Sequence, residues 1–305
     1  MKLTIILPTC RPLHLSVTLD SLAKCEFPRN FDRLIIVENG TAEPKLENVI
    51  ENASPHLNIL YLHCQEGNKS NALNLAINSL KENHLLFLTD DDVQFQKDIL
   101  VQYAKAADGH ETGVVFGGTI VPDYDSPPPP ELVPFIPSSM RGYSPDPSKL
   151  DLTKTLFIGP NWAVFSDDVK KLGGFDPRFG PGSKSRATGQ ESQMMLTMRN
   201  AGFEFVFLKD AVVRHKIEAH NYTVEFLRDR KFRSGIEAGQ RHRIDSSGFS
   251  SKIPPWKVIA KAVLYTLLLP FAGVIFSRES YYKVLFGQRF ARGFFKGWLS
   301  KPANK

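Results

Sequence analysis

The stretch LLFLTDDDVQF, residues 85–95, runs five apolar or neutral residues straight into three consecutive carboxylates, Asp90, Asp91 and Asp92. The apolar half reads as a buried strand, and a run without polar alternation suits a sheet covered on both faces. The acidic half is the puzzle. Adjacent like charges repel, and a single Asp here would read as a solvated turn or a helix N-cap. Three in a row point to a cation that neutralises them. A hard divalent ion such as Mg²⁺ takes oxygen ligands, often one or two carboxylates plus substrate phosphates. The triplet therefore prepares a site for a nucleoside diphosphate.

The segments around it agree. Upstream, LTIILP (3–8), RLIIVENG (33–40) and LNILYLH (57–63) read as strands, and HLSVTLDSLAK (14–24) and KSNALNLAINSL (69–80) as helices. HLLFLT (84–89) is a fourth strand, and QKDILVQYAKAA (96–107) is helical again. Strands alternating with helices predict a mostly parallel sheet flanked by helices. Ligands of such sheets bind at the carboxyl ends of the strands. Pro8 with Thr9, Glu38 with Asn39, and the aspartate triplet all fall there. CQEGNKSNALN (64–74) sets Gly67, Asn68 and Lys69 just before a helix, where backbone N–H groups and a lysine suit an anion. Glu38 can accept hydrogen bonds from a base or ribose, or stand as an exposed turn acid.

Beyond residue 121 a proline-rich loop (122–147) without periodicity interrupts the pattern. TLFIGPNWAVF (155–165), a glycine-rich stretch (173–189), a helix (190–202), two strands (204–208 and 211–215) and a charged helix (225–243) follow. The formal net charge of +6 is unevenly spread. Residues 251–305 hold ten Lys or Arg against one acid, Glu279, and so carry +9, leaving −3 for the rest. An acidic partner is therefore sought at the tail. Cys10, Cys25 and Cys64 have neither paired nor metal-type spacing, which suits a reducing compartment, and the N-terminus does not read as a signal peptide.

Taken in order, IILPTCRP, IIVENG, GNKSNALN, FLTDDDV, GGFDPRFGPG, GQES and AGFEFVFLKDAVVRH resemble glycosyltransferase family 2, from residue 3 to about residue 218. The resemblance implies a GT-A type fold, with a Rossmann-like sheet. It divides the chain into a nucleotide-sugar-binding half (1–120), an acceptor-side half (121–220) and a basic helical extension (221–305). By the same resemblance Pro8, Thr9, Glu38, Asn39, Asn68 and Lys69 bind the donor, and Asp90 faces its ribose. Asp91, with Asp92 as competitor, holds Mn²⁺ or Mg²⁺, and His215 is a further metal or diphosphate contact. The family usually has Glu-Asp near residue 190, with the second acid as general base. Here the pair is Gln190-Glu191, so Glu191 takes the base position with one methylene more. Its alternative role is to complement the positive N-terminus of its helix. The implied reaction is inverting, metal-dependent transfer of a sugar from a nucleoside diphosphate to the hydroxyl of a glycan or lipid-linked glycan. Arg228, Arg230, Lys231 and Arg233 either close over the diphosphate or form a solvated helix face.

Sixteen uncharged residues, AVLYTLLLPFAGVIFS (262–277), lie in the tail. They fall short of the ~20 of a membrane span, and Pro270 interrupts them. They read either as a buried hairpin or as a segment lying in a membrane surface. The aromatic and basic YYKVLFGQRFARGFFKGWL (281–299) favours the latter, at the inner, cytoplasmic face of the membrane, so peripheral membrane contact is expected through residues 256–299. Nucleic acid is disfavoured by the same long apolar run. Two rivals remain: a non-catalytic scaffold on the same fold, and a sugar-nucleotide nucleotidyltransferase, which should carry a glycine-rich loop where this chain has LPTCRPLH.

Overall fold

The computed structural model describes residues 1–157, 159–244 and 255–300. Lys252, Lys301 and Lys305 of the basic tail, and Ile158 of the 155–165 segment, lie outside them. The chain runs β1 (Lys2–Thr9), α1 (Pro12–Leu22), β2 (Phe31–Asn39), α2 (Pro44–Glu51), β3 (Ile59–Cys64), α3 (Lys69–Asn78), β4 (His84–Leu88), β5 (Val93–Phe95), α4 (Ile99–Ala106) and β6 (Val114–Tyr124). Then come α5 (Ser138–Arg141), β7 (Trp162–Phe165), α6 (Ser166–Lys171), α7 (Gln190–Asn200), β8 (Glu204–Ile217), α8 (Val224–Ile244), α9 (Pro255–Ile275) and α10 (Arg278–Leu299). Contacts divide it into two compact units: residues 1–123, 138–177 and 190–216, and residues 124–137, 178–189 and 217–305.

The strands form one sheet in the order β3-β2-β1-β4-β7-β6-β8-β5. Pairing is parallel from β3 through β2 and β1 to β4, and antiparallel for β4 with β7, β7 with β6, and β5 with β8. Strand alternation sends successive side chains to opposite faces. Leu3, Ile5 and Leu7 therefore join a core under α1 and α4, while Ile6, Ile35 and Val37 join another under α3 and α7. Burial on both faces is why β1 and β4 are continuously apolar.

The sequence reading assigns no element to α2, β5 or α6, and it differs from the structure at three further places. The segments 204–208 and 211–215 are one strand of 14 residues, β8, which runs through Lys209 and Asp210. β6, of 11 residues, is unforeseen because Gly117 and Gly118 break its apolar pattern. Their missing side chains make room: a Cβ at Gly117 would meet the Phe157 ring at 2.0 Å, and one at Gly118 the carbonyl oxygen of Ala211 at 2.3 Å. Pro270, expected to interrupt the apolar tail segment, lies inside a continuous α9 of 21 residues. It lacks an N–H for the Thr266 carbonyl, yet the turns on either side keep the helix going.

In the second unit, α8 and α10 pack at backbone contact through four glycines. A Cβ at Gly235 or Gly239 would meet the carbonyl oxygen of Phe290 or Phe294 at 2.1 Å. At Gly293 and Gly297 it would meet those of Phe232 and Ile236 at 2.0 and 2.1 Å. Positions on both helices advance together, so the two run parallel. α9 packs on α10 through Val258, Ala291 and Phe294. The stretch Trp256–Ile275 is long and apolar enough, by length and composition, to cross a membrane, yet only 11% of its most apolar window is buried in the protein. The expectation of a buried hairpin therefore fails for α9, which leaves Ile259, Val263, Leu267 and Phe271 exposed.

A fully buried Asn161 ties the first unit together. Its amide donates to the carbonyls of Thr119 (2.8 Å) and Ala211 (2.9 Å), and its Oδ1 accepts from the Tyr103 hydroxyl (2.8 Å). Asn161→Leu leaves a hydroxyl and two carbonyls unpaired and should cost roughly 3 kcal/mol in chemical denaturation. A loss near zero would show that these hydrogen bonds do not hold the unit together.

Candidate active site

The carboxyl ends of β1, β2 and β4 gather the polar side chains. Each aspartate of the triplet faces a basic side chain, and two of them share Arg11. Asp90 Oδ1 accepts from Lys69 Nζ at 2.5 Å. Asp91 is almost completely buried. It pairs with the Arg11 guanidinium and accepts a hydrogen bond from Thr9 Oγ1 at 2.6 Å. Asp92 Oδ2 accepts from Arg11 at 2.8 Å, and its Oδ1 lies 3.3 Å from His215 Nε2. His215 is fixed from its other side by the Ser139 carbonyl, 2.8 Å from Nδ1. The backbone of the turn is held as well: the Asp91 carbonyl accepts from Thr18 Oγ1 (2.7 Å), and the Asp92 carbonyl from the Lys216 N–H (2.8 Å).

The electrostatics follow. Burial pushes the Asp91 carboxyl up despite Arg11. Burial would raise Asp92 too, but His215 and Arg11 outweigh it and hold the group far below the usual carboxylate range. Burial would lower His215, but Asp92 and the Ser139 carbonyl leave it raised. Lys69 is likewise penalised by burial, yet Asp90 and Glu191 raise it, so it stays an ammonium.

Lys69 also joins the predicted base to the triplet. Its Nζ lies 3.0 Å from Glu191 Oε1, which accepts from Gln190 Nε2 at 2.6 Å as well. The extra methylene of Glu191 has room because residue 159 is glycine: a Cβ there would come within 3.2 Å of Glu191 Oε1. Gln190, in the place of an acid, supplies a donor instead of a second negative charge.

The remaining predicted donor-binding residues are spread over the same strand ends. Glu38 is buried and accepts from the Tyr61 hydroxyl and the Glu43 backbone N–H, so it is not an exposed turn acid. Burial and then Glu38 push Tyr61 up to about 12. Asn39 Oδ1 is a buried acceptor with no hydrogen-bond partner among the described residues. Asn68 uses its Oδ1 to cap α3, accepting from the Ser70 and Asn71 N–H groups, and its amide donates to the Pro177 carbonyl at 2.9 Å. Both ends of its amide are thus engaged at the start of the helix that carries Lys69. Pro8 is buried in β1 opposite Val37.

Sequence reading missed Arg11 and His14. Both follow β1 in TCRPLH, and nothing local links them to residues some eighty positions later. One donor atom each from His14, Asp91 and Asp92 lies within 4.8 Å of the others, a set able to hold a metal ion. The fit is supported by Arg11, whose guanidinium shows that the two carboxylates already accommodate a cation, and by Asp92 Oδ1, a buried acceptor without a hydrogen bond among the described residues, 3.3 Å from His215 Nε2.

The His215–Asp92 contact predicts a pH dependence. A raised His215 contributes stability in full below its ordinary value of about 6.5 and loses it as pH rises through the raised value. A lowered Asp92 contributes above about 3.9 and loses it only in acid. Metal-free protein should therefore lose stability on the alkaline side, and His215→Gln should flatten that slope in denaturation curves. Equal slopes would contradict the pairing.

Comparisons with known proteins agree with this geometry. A family model for glycosyl transferase family 2 matches residues 4–173, more than half of the chain. The succinoglycan biosynthesis protein ExoM of Rhizobium meliloti (strain 1021) is 26% identical over 246 residues, covering 76% of this chain and 72% of that protein. Among solved structures, the mannosyltransferase PcManGT from Pyrobaculum calidifontis, in complex with GDP-Man and Mn²⁺, is similar with a TM-score of 0.62 at 15% identity, covering 98% of this chain and 87% of that one. S. aureus TarS 1-349 in complex with UDP-GlcNAc follows with a TM-score of 0.53 at 15% identity, covering 97% and 91%. The fold is that of GT-A glycosyltransferases, and the chain belongs to glycosyl transferase family 2.

Proposed function

We propose that this glycosyltransferase transfers a sugar, with inversion, from a nucleoside diphosphate donor to a hydroxyl of a glycan or lipid-linked glycan, with a divalent cation bound. The observation that carries the reading is the Lys69 ammonium held between Asp90 and Glu191, next in sequence to the carboxylate pair Asp91 and Asp92. Asp91 and Asp92, with His14 or His215, would hold Mn²⁺ or Mg²⁺. When bound, such an ion neutralises the charge that develops on a departing diphosphate. Arg11 must then leave the carboxylates, and its guanidinium suits the donor's phosphates.

Glu191 is the base. It sits in the first turn of α7 with Oε1 oriented by Lys69 and Gln190, and it takes the proton of an acceptor hydroxyl within hydrogen-bond reach. Lys69 stays charged and can follow a diphosphate, which releases Glu191 from its ion pair. Asp90 is then free to meet the ribose, and Asn39 and Glu38 line the end of β2 for the base. The likeness to a succinoglycan biosynthesis protein supports a glycan acceptor. The exposed apolar face of α9 supports peripheral attachment, with the basic tail favouring the cytoplasmic leaflet.

The test is release of nucleoside diphosphate from a panel of sugar nucleotides with a membrane-lipid extract as acceptor, in Mn²⁺, Mg²⁺ or EDTA. One donor should be turned over, and EDTA or Asp92→Ala should abolish the release. Glu191→Gln should lower kcat roughly a hundred- to ten-thousand-fold with donor binding retained. Release that survives EDTA, or an unimpaired Glu191→Gln, would overturn the mechanism. Gly159→Ala should lower kcat by crowding Glu191 while leaving donor affinity unchanged. Equal kcat would show that the space at residue 159 is incidental.

A further inference from the structure

Three arginines in the second unit are left without an acid. The parallel register of α8 and α10 brings Phe232 against Gly293 and Ile236 against Gly297. One turn earlier, the same register sets Arg228 beside Arg289, and Arg292 follows on α10. No ion pair or hydrogen bond joins Arg228, Arg289 or Arg292 to any partner among the described residues. Arg289 Nε is buried and unpartnered. Burial, then Arg228 and Arg292, lower the Arg289 pKa, and no carboxylate offsets them. Holding three guanidinium groups together in this way is unfavourable unless an anion joins them.

The neighbouring helix indicates what kind of anion. The face of α9 turned away from α10 exposes Trp256, Ile259, Val263, Leu267, Phe271 and Val274, at helical spacing. Lys257 and Lys261 lie near one end of this helix, and Arg278 follows its other end. α10 runs antiparallel beside α9, with Ala291 and Phe294 at Val258 and Gly287 at Tyr265, so a spanning α9 would carry Lys283 of α10 to the middle of the hydrocarbon, which is costly. It can lie in the plane of the surface with its exposed face down, as amphipathic interfacial helices do. Thr266 fits that depth, because its hydroxyl is spent on the Ala262 carbonyl at 2.8 Å.

We propose that Arg228, Arg289 and Arg292 form a binding site for the phosphate of an anionic phospholipid headgroup, engaged when α9 lies in the membrane surface. The inference rests on the peripheral attachment proposed above and deepens it from a general contact to a lipid-selective one.

The test uses the full chain and vesicle co-sedimentation, with phosphatidylcholine alone or mixed with phosphatidylglycerol. Wild type should bind the mixed vesicles more tightly. Arg289→Gln should remove about fivefold of that gain, the contribution of one cation near an anionic surface, and leave binding to phosphatidylcholine unchanged. Arg292→Gln, at an exposed position where the fold is not at risk, should remove a similar share. Full retention of the gain in both variants would overturn the proposal. So would a wild type whose thermal unfolding is raised by inorganic phosphate through these arginines but not by the mixed vesicles, since that result assigns the site to a free anion. Leu267→Glu separates the two levels. It should abolish binding to both vesicle types, and if it does not, attachment through α9 itself is wrong.

Discussion

Everything in the first unit turns on the neutralisation of three consecutive carboxylates. Asp90, Asp91 and Asp92 follow a strand buried on both faces, and three adjacent like charges there repel one another unless cations meet them. Lys69 from the start of α3 meets Asp90, Arg11 from the turn after β1 meets both Asp91 and Asp92, and His215 from β8 meets Asp92. The cations come from three elements remote in sequence, so they meet only if the sheet closes in its observed order. In the reading proposed above, a divalent ion and a diphosphate would replace the same charges, exchanging one set of ion pairs for another with no charge left buried alone.

The proposed base, Glu191, is positioned by the same balance of charge. Glu191 stands where a shorter acid would be usual, after a glutamine where a second acid would be usual. Two compensations are visible. Gly159 leaves the space that the longer side chain fills, and the Gln190 amide holds the carboxylate in place of a repelling neighbour. Lys69 links Glu191 to the triplet through a single ammonium.

The second unit is organised by closeness of backbone. Gly235 and Gly239 on α8 and Gly293 and Gly297 on α10 let the two helices meet with no side chain between them. That contact fixes the register, and the register in turn places like charges side by side. With α8 and α10 buried against each other, α9 packs on α10 along one side only and turns its opposite apolar face outward.

The sequence by itself determined the parallel half of the sheet, since runs such as LTIILP and HLLFL are buried on both faces and need no partner information to be read. It also marked the acidic triplet and Lys69 as residues that need opposite charge, because three adjacent acids, and a lysine at the positive start of a helix, are costly unless opposite charge meets them. Its misses have physical causes. Gly117 and Gly118 hid β6 because they serve the fold by lacking side chains. Pro270 read as a break because a proline's local cost is visible, while the helical turns that continue on either side of it are not. Only the tertiary structure decided that Arg11 and His14 meet Asp91 and Asp92, that Lys69 spans Asp90 and Glu191, and that Arg228 lies beside Arg289. Each of these pairings joins residues distant in the chain, where periodicity and local propensity carry no signal and packing alone sets the distance.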